Sequence, residues 1–156
     1  MLKNLAICLI NSDKGLLDEA LLKKANNSKE LGSETEDILF LEKTLRMHGD
    51  KCDFFIAKLG EDEVVGYILG RKFDDYNLYR SAGIHVAKKY RHMGIGTELT
   101  RAQIELAKKY GCSYISMSTA KKNKACMKIL ERLGFSLTIY EDGGCSASLN
   151  LKPEKK

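Results

Sequence analysis

The chain has 156 residues, 44% hydrophobic and 30% charged, the make-up of an ordinary soluble globular protein, and a single domain over residues 1–156 is expected. One proline against 13 glycines puts the turns on glycine and excludes Pro-rich linkers, while five singly scattered cysteines with no C-x-x-C pair argue against a disulfide framework or a zinc site. Much of the net charge of +5 lies in Lys88-Lys89-Tyr90-Arg91-His92 and Lys121-Lys122-Asn123-Lys124; a solvated charged face is the default for such runs, and two of them in one chain raise the expectation of a polyanionic ligand.

In chain order, residues 2–10 read as a first strand. Its apolar run, residues 5–10, is too short for a signal-peptide core or a membrane span, so a cytoplasmic protein without membrane association is expected. Asn11-Ser12-Asp13 is a helix-capping cluster, and Leu17, Ala20, Leu21 and Lys24 give a short helix that dissolves in Asn26-Asn27-Ser28. Ser33-Glu34-Thr35-Glu36 is a capping box, from which Ile38, Leu41 and Leu45 carry a second helix to Gly49. Residues 53–59 and 64–73 form a hairpin about the polar turn Gly60-Glu61-Asp62-Glu63. The turn Asp74-Asp75-Tyr76-Asn77 leads into a strand over residues 78–86, where Ala82, Ile84 and Val86 alternate with Gly83 and His85. Ile95, Leu99, Ala102, Leu106 and Tyr110 mark one face of a third helix ending at Gly111. A strand over 113–119, a helix over 123–135 and a hairpin of 137–140 with 145–151 complete the chain, and the tail 152–156 is expected to fray. The order β-α-α-β-β-β-α-β-α-β-β predicts an α/β (α+β) domain, a mixed and mostly antiparallel sheet flanked by about four helices.

The turn between the fourth strand and the third helix, V-A-K-K-Y-R-H-M-G-I-G over residues 86–96, carries the strongest chemical signal. Gly94 and Gly96 let the backbone turn sharply and leave no side chain over the first N–H groups of the helix. Those groups and the helix dipole make an anion site, beside which Arg91 places a fixed positive charge. A dinucleotide fingerprint would need a third Gly or Ala where Leu99 stands, and a Walker A loop would need Gly-Lys-Ser/Thr.

What remains, R-x-x-G-x-G opening a helix, resembles the acyl-CoA pyrophosphate loop of the GNAT N-acetyltransferase superfamily. A second segment, N-K-A-C-M-K-I-L-E-R-L-G-F over residues 123–135, is similar to that family's downstream motif, with Asn123, Cys126, Gly134 and Phe135 in register. Leu130 stands where the family usually has a tyrosine. The resemblance spans residues 64–135 and implies the GNAT fold and acetyl transfer from acetyl-CoA to a primary amine by direct attack in a ternary complex.

Carried over residue by residue, the resemblance implies that the pantetheine arm lies along Ile84, His85 and Val86. The pyrophosphate would meet the N–H groups of His92, Met93, Gly94, Ile95, Gly96 and Thr97, with Arg91 alongside and Asn123 on the other side. The Val86 N–H would polarise the thioester carbonyl. His85 is a candidate base, against the alternative that it faces the other side of the sheet. A glutamate used as base by some members is Ser118 here, and the tyrosine that protonates the departing thiolate is Leu130, either an open catalytic position or a core leucine. Two other readings stand beside the enzyme: a non-catalytic acyl-CoA binder on the same fold, and a basic nucleic-acid-binding domain. No metal is expected, the acceptor amine is not identified, and a homodimer stays open.

Overall fold

The computed structural model describes residues 4–11, 52–60 and 63–151. The strands β1 (Leu5–Asn11), β2 (Cys52–Leu59), β3 (Glu63–Phe73), β4 (Leu78–Val86), β5 (Tyr114–Ala120), β6 (Ser136–Ile139) and β7 (Gly144–Asn150) form one sheet, ordered β1-β2-β3-β4-β5-β7-β6. Helix α1 (Ile95–Lys109) crosses between β4 and β5, and α2 (Lys124–Arg132) between β5 and β6. The two helices expected within residues 17–49 and the tail 152–156 lie outside the described residues.

β4 and β5 run parallel and every other neighbouring pair is antiparallel, as the expected mixed and mostly antiparallel sheet requires. The parallel pair needs a crossover, which α1 supplies. A core of Phe55, Ile68, Tyr79, Leu99, Ile115, Met117 and Leu130 fills the space between the sheet and the two helices.

The buried face of α1 differs from the expected stripe. Ile95 and Leu99 are buried as expected, but Ala102 and Leu106 are only partly covered, and Gln103 is fully buried in their place. The reason lies across the sheet. Gly70 has no side chain, so the Tyr79 ring and the Gln103 amide close over it, and Gln103 Nε2 donates to the Leu69 carbonyl at 2.9 Å. That bond offsets the burial of the NH2 end of the amide, while Gln103 Oε1 is buried with no hydrogen-bond partner among the described residues.

Beside that carbonyl the β3–β4 ladder is irregular. Leu69 pairs with Gly83 but Gly70 pairs with Ser81, so Ala82 is an extra residue, and Gly83 sits at φ 124°, a conformation that suits glycine. The bulge resets the phase of β4. Tyr79 before it, and Ile84 and Val86 after it, all face α1. His85 therefore turns to the opposite face, where its ring stacks on Tyr67 at a centroid distance of 4.7 Å, and Tyr67 in turn meets Phe54 edge-on.

Candidate functional site

β4 and β5 are paired only from Leu78↔Tyr114 to Ser81↔Met117. Beyond Ser81 the bulge turns β4 aside, while β5 continues with β7 as far as Ala120↔Gly144. A gap opens between the two strands at the C-terminal end of their parallel pair.

The ladder on the other side of β4 decides which backbone groups face that gap. Ala87 N–H donates to the Val65 carbonyl at 2.8 Å, which makes Val86↔Gly66 a pair without hydrogen bonds of its own. Alternation then makes His85↔Tyr67 the bonded pair and Ile84↔Ile68 again a non-bonded one. The N–H and C=O groups of Ile84 and Val86 thus project away from β3 into the gap, whereas the backbone of His85 is spent on Tyr67. An arm laid along this edge meets the backbone groups of Ile84 and Val86, while His85 pairs its backbone with Tyr67 and carries its ring on the face away from α1, the alternative that the alternation of the strand offers.

The turn that follows is held in shape from within. Lys88–Tyr90 forms one 3-10 turn, and Arg91 Nε donates back to the Val86 carbonyl at 3.0 Å. The expected charge beside the loop is therefore also its brace. Gly94 is the N-cap residue of α1 at φ 88°, and its carbonyl accepts from Glu98 N–H. Among the described residues no N–H from 92 to 97 meets a backbone carbonyl, although those of Arg91 and Glu98 on either side do. This unbroken run of donors, at the positive end of a 15-residue helix, makes an anion cradle. Nothing lies within 4 Å of where a Gly94 side chain would begin.

α2 closes the other wall. A Cβ on Gly96 would lie 2.9 Å from Ile129 Cδ1, with Ile84 Cγ2 and Val86 Cγ2 next nearest. Asn123 caps α2 by accepting from Cys126 N–H at 3.2 Å, so its carboxamide oxygen is committed to the helix and its NH2 is the group left to face a ligand. Burial raises the Cys126 thiol above its ordinary range, which keeps it a neutral packing group.

Leu130 resolves toward packing. It is 0% exposed within the core cluster, and its burial is worth about 1.5–3 kcal/mol. A tyrosine there would not reach the gap without displacing that core. Leu130→Tyr should cost about 1–3 kcal/mol in stability and give no gain in turnover. Chemical denaturation, run beside an acetyl-transfer assay, checks this, and a stable variant with faster turnover would contradict it.

Ser81 went unnoticed in the sequence. It is 2% exposed, it stands immediately before the bulge, and its Oγ has no hydrogen-bond partner among the described residues. An orphaned hydroxyl at the mouth of the gap, together with the free amides beyond it, fits a ligand that brings its own polar groups. Ser118, the position of the family's glutamate, is engaged instead by Arg80 Nη2 at 2.6 Å. Among the described residues no His, Cys, Asp and Glu side chains are grouped to hold a metal ion, and no helix is long and apolar enough to cross a membrane.

A strand edge offering alternate amides leads directly into an anion cradle, a geometry that suits an extended ligand ending in phosphates. The family model described as acetyltransferase (GNAT) family matches residues 19–135, and the chain belongs to that family. It is 32% identical over 109 residues to "Probable N-acetyltransferase camello" of Xenopus tropicalis, covering 68% of this chain and 48% of that protein. It is 30% identical over 90 residues to N-alpha-acetyltransferase 30 of Schizosaccharomyces pombe, covering 53% of this chain and 57% of the relative. The chain thus spans about half the length of these curated relatives. In fold it is similar to the PaiA N-acetyltransferase of Thermoplasma acidophilum, a structure in complex with coenzyme A, with TM-score 0.67 and 15% identity over 94% of this chain and 99% of the other.

Proposed function

We propose that this chain is a single-domain acetyltransferase that moves the acetyl group of acetyl-CoA to a primary amine by direct attack in a ternary complex. The observation that carries the reading is the junction at Val86, where gap-facing amides of Ile84 and Val86 run straight into the open N–H groups of residues 92–97. The pantetheine amides would pair with Ile84 and Val86 as an added strand, and the diphosphate would take the cradle, neutralised by Arg91. Asn123 would reach the co-substrate through its NH2 group.

Val86 N–H would donate to the thioester carbonyl oxygen as it gains charge, and this stabilisation needs no special side chain. The amine nitrogen, neutral when it attacks, then bonds the acetyl carbon, the C–S bond breaks to release the thiolate of CoA, and the proton lost by the nitrogen passes to water. A thiol titrates near ~8.5, so leaving as thiolate at neutral pH costs only about 2 kcal/mol, and a leucine at 130 is compatible with turnover. A basic cluster on either side of the cradle would draw in a polyanion. The free cysteines Cys8, Cys112, Cys126 and Cys145 suit a reducing cytoplasm.

Thermal denaturation with acetyl-CoA tests the binding half. At a ligand concentration 100 times the dissociation constant, stabilisation should reach ~2.7 kcal/mol, a shift of a few degrees. Release of free CoA thiol with an amine panel tests the chemical half. Leu130 favours one second reading, an acyl-CoA binder without turnover, which predicts the thermal shift but no thiol release. Absence of a shift with any CoA species would end both.

A further inference from the structure

The face of the sheet turned away from α1 and α2 carries a cation with no anion beside it among the described residues. Arg80 is half-buried on β4, next to Tyr79, which faces α1. Its Nη1 donates to Ser116 Oγ at 3.1 Å and its Nη2 to Ser118 Oγ at 2.6 Å. Among the described residues it makes no ion pair; the pairs there are Lys72–Asp74, Arg101–Glu98 and Lys108–Glu105. Two neutral hydroxyls fix the orientation of the guanidinium without neutralising it. Partly desolvating such a group is unfavourable unless an anion meets it, and its planar donors match a carboxylate.

Its surroundings sharpen the point. Ser116 and Ser118 are in register with Ser148 and Ser146 on β7, which are in turn in register with Ser136 and Thr138 on β6. This face is therefore a field of hydroxyls, and the three strands bring no Asp or Glu to it. Arg71 stands directly opposite Arg80 in the β3–β4 ladder and adds a second guanidinium to the same side. The position matters as much as the charge. Because β5 runs parallel to β4, Ser118 lies one step beyond the last paired row, Ser81↔Met117, and draws the head of Arg80 to the mouth of the gap.

We propose that Arg80, oriented by Ser116 and Ser118, is the specificity-determining residue for a carboxylate on the amine acceptor, so that the preferred acceptors are amino-carboxylates. The inference rests on the acetyl-transfer reading for where the amine must lie, and not for the anion site itself. A strand advances about 3.3 Å per residue, so the distance from the level of Ser118, one step beyond Ser81, to the Val86 amide at the thioester is roughly 13 Å, a span that the longer ω-amino acids come nearest to bridging.

The probe is a series of ω-amino acids, from β-alanine to ε-aminocaproate, each compared with its carboxamide. Binding to the full chain is measured calorimetrically with and without CoA, and thiol release from acetyl-CoA is followed in parallel. Wild-type protein should bind one length of carboxylate best, and its amide roughly tenfold more weakly or worse. Arg80→Met, which keeps the aliphatic stem, should remove that preference while leaving acetyl-CoA binding unchanged. Arg80→Lys should restore part of the binding without the preference for length. Equal binding of carboxylate and amide by wild type, or a preference that survives Arg80→Met, would overturn the proposal. If carboxylates bind through Arg80 but no thiol is released, the proposal stands and the acetyl-transfer reading fails.

Discussion

Above pH 10 the protein should lose stability at about 1.4 kcal/mol per pH unit beyond any other alkaline loss, and Tyr79 should be the source. Tyr79 is completely buried, and its hydroxyl donates to Asp53 Oδ2 at 2.9 Å. Burial first, and then the negative charge of Asp53, push its ionisation far above the ordinary value of 10.0. The unfolded chain releases this proton near pH 10 while the folded chain keeps it, so the stabilisation is complete below 10 and is lost as pH rises beyond it. By pH 12 the loss should reach about 2.7 kcal/mol.

Tyr79→Phe isolates the effect. At neutral pH it should cost about 1.5–3 kcal/mol, because Asp53 loses a hydrogen bond while keeping that of Tyr110 at 2.7 Å. Its stability should then fall less steeply with pH, so that the curves for the two proteins converge between pH 10 and 12. Urea titrations at several pH values measure both. Parallel curves would mean that the phenol finds water on ionising.

The second large effect is expected at Gly94. Gly94→Asp places a carboxylate over the amides of residues 92–97, and acetyl-CoA binding should fall at least tenfold, about 1.4 kcal/mol or more. The site has room, but φ 88° is unfavourable for any L side chain, so some stability is lost whatever the substituent. Gly94→Asn carries the same bulk and backbone strain without the charge. Affinity measured by calorimetry should order wild type above Asn and Asn above Asp. Equal losses for Asn and Asp would mean that shape alone matters there. Unchanged affinity in both would put the phosphates elsewhere.

The loop and its helix were legible in the sequence because their determinants are local. Two glycines, a periodic apolar stripe and a run of basic residues lie within one short segment, and they suffice for the cradle. The bulge at Ala82 was not legible, since it is a mismatch between β4 and β3 and exists only once the two are paired. That one insertion decides that Ile84 and Val86 offer backbone to the gap and that His85 does not. The Asp53–Tyr79–Tyr110 cluster was hidden by distance along the chain, which separates Asp53 from Tyr110 by 57 positions. The burial of Gln103 carries no local signal, because only the missing side chain of Gly70, on another element, makes room for it. The serines of β5 alternate along the strand and by themselves announce no partner. Their meaning came from the parallel register that sets them beside Arg80.

The short parallel pairing of β4 with β5 has a mechanical meaning. Among the described residues its four rungs are the whole ladder between one half-sheet, β1 to β4, and the other, β5 with β7 and β6. A hinge line so lightly stitched is the natural place for the protein to breathe, with the helices bridging above it. Whatever occupies the gap adds rungs to that seam, so the same contacts that hold a ligand also splint the two halves together. Affinity and stiffness then become two readings of one quantity, and substitutions that slacken the hinge are felt as weaker binding even where they touch no ligand.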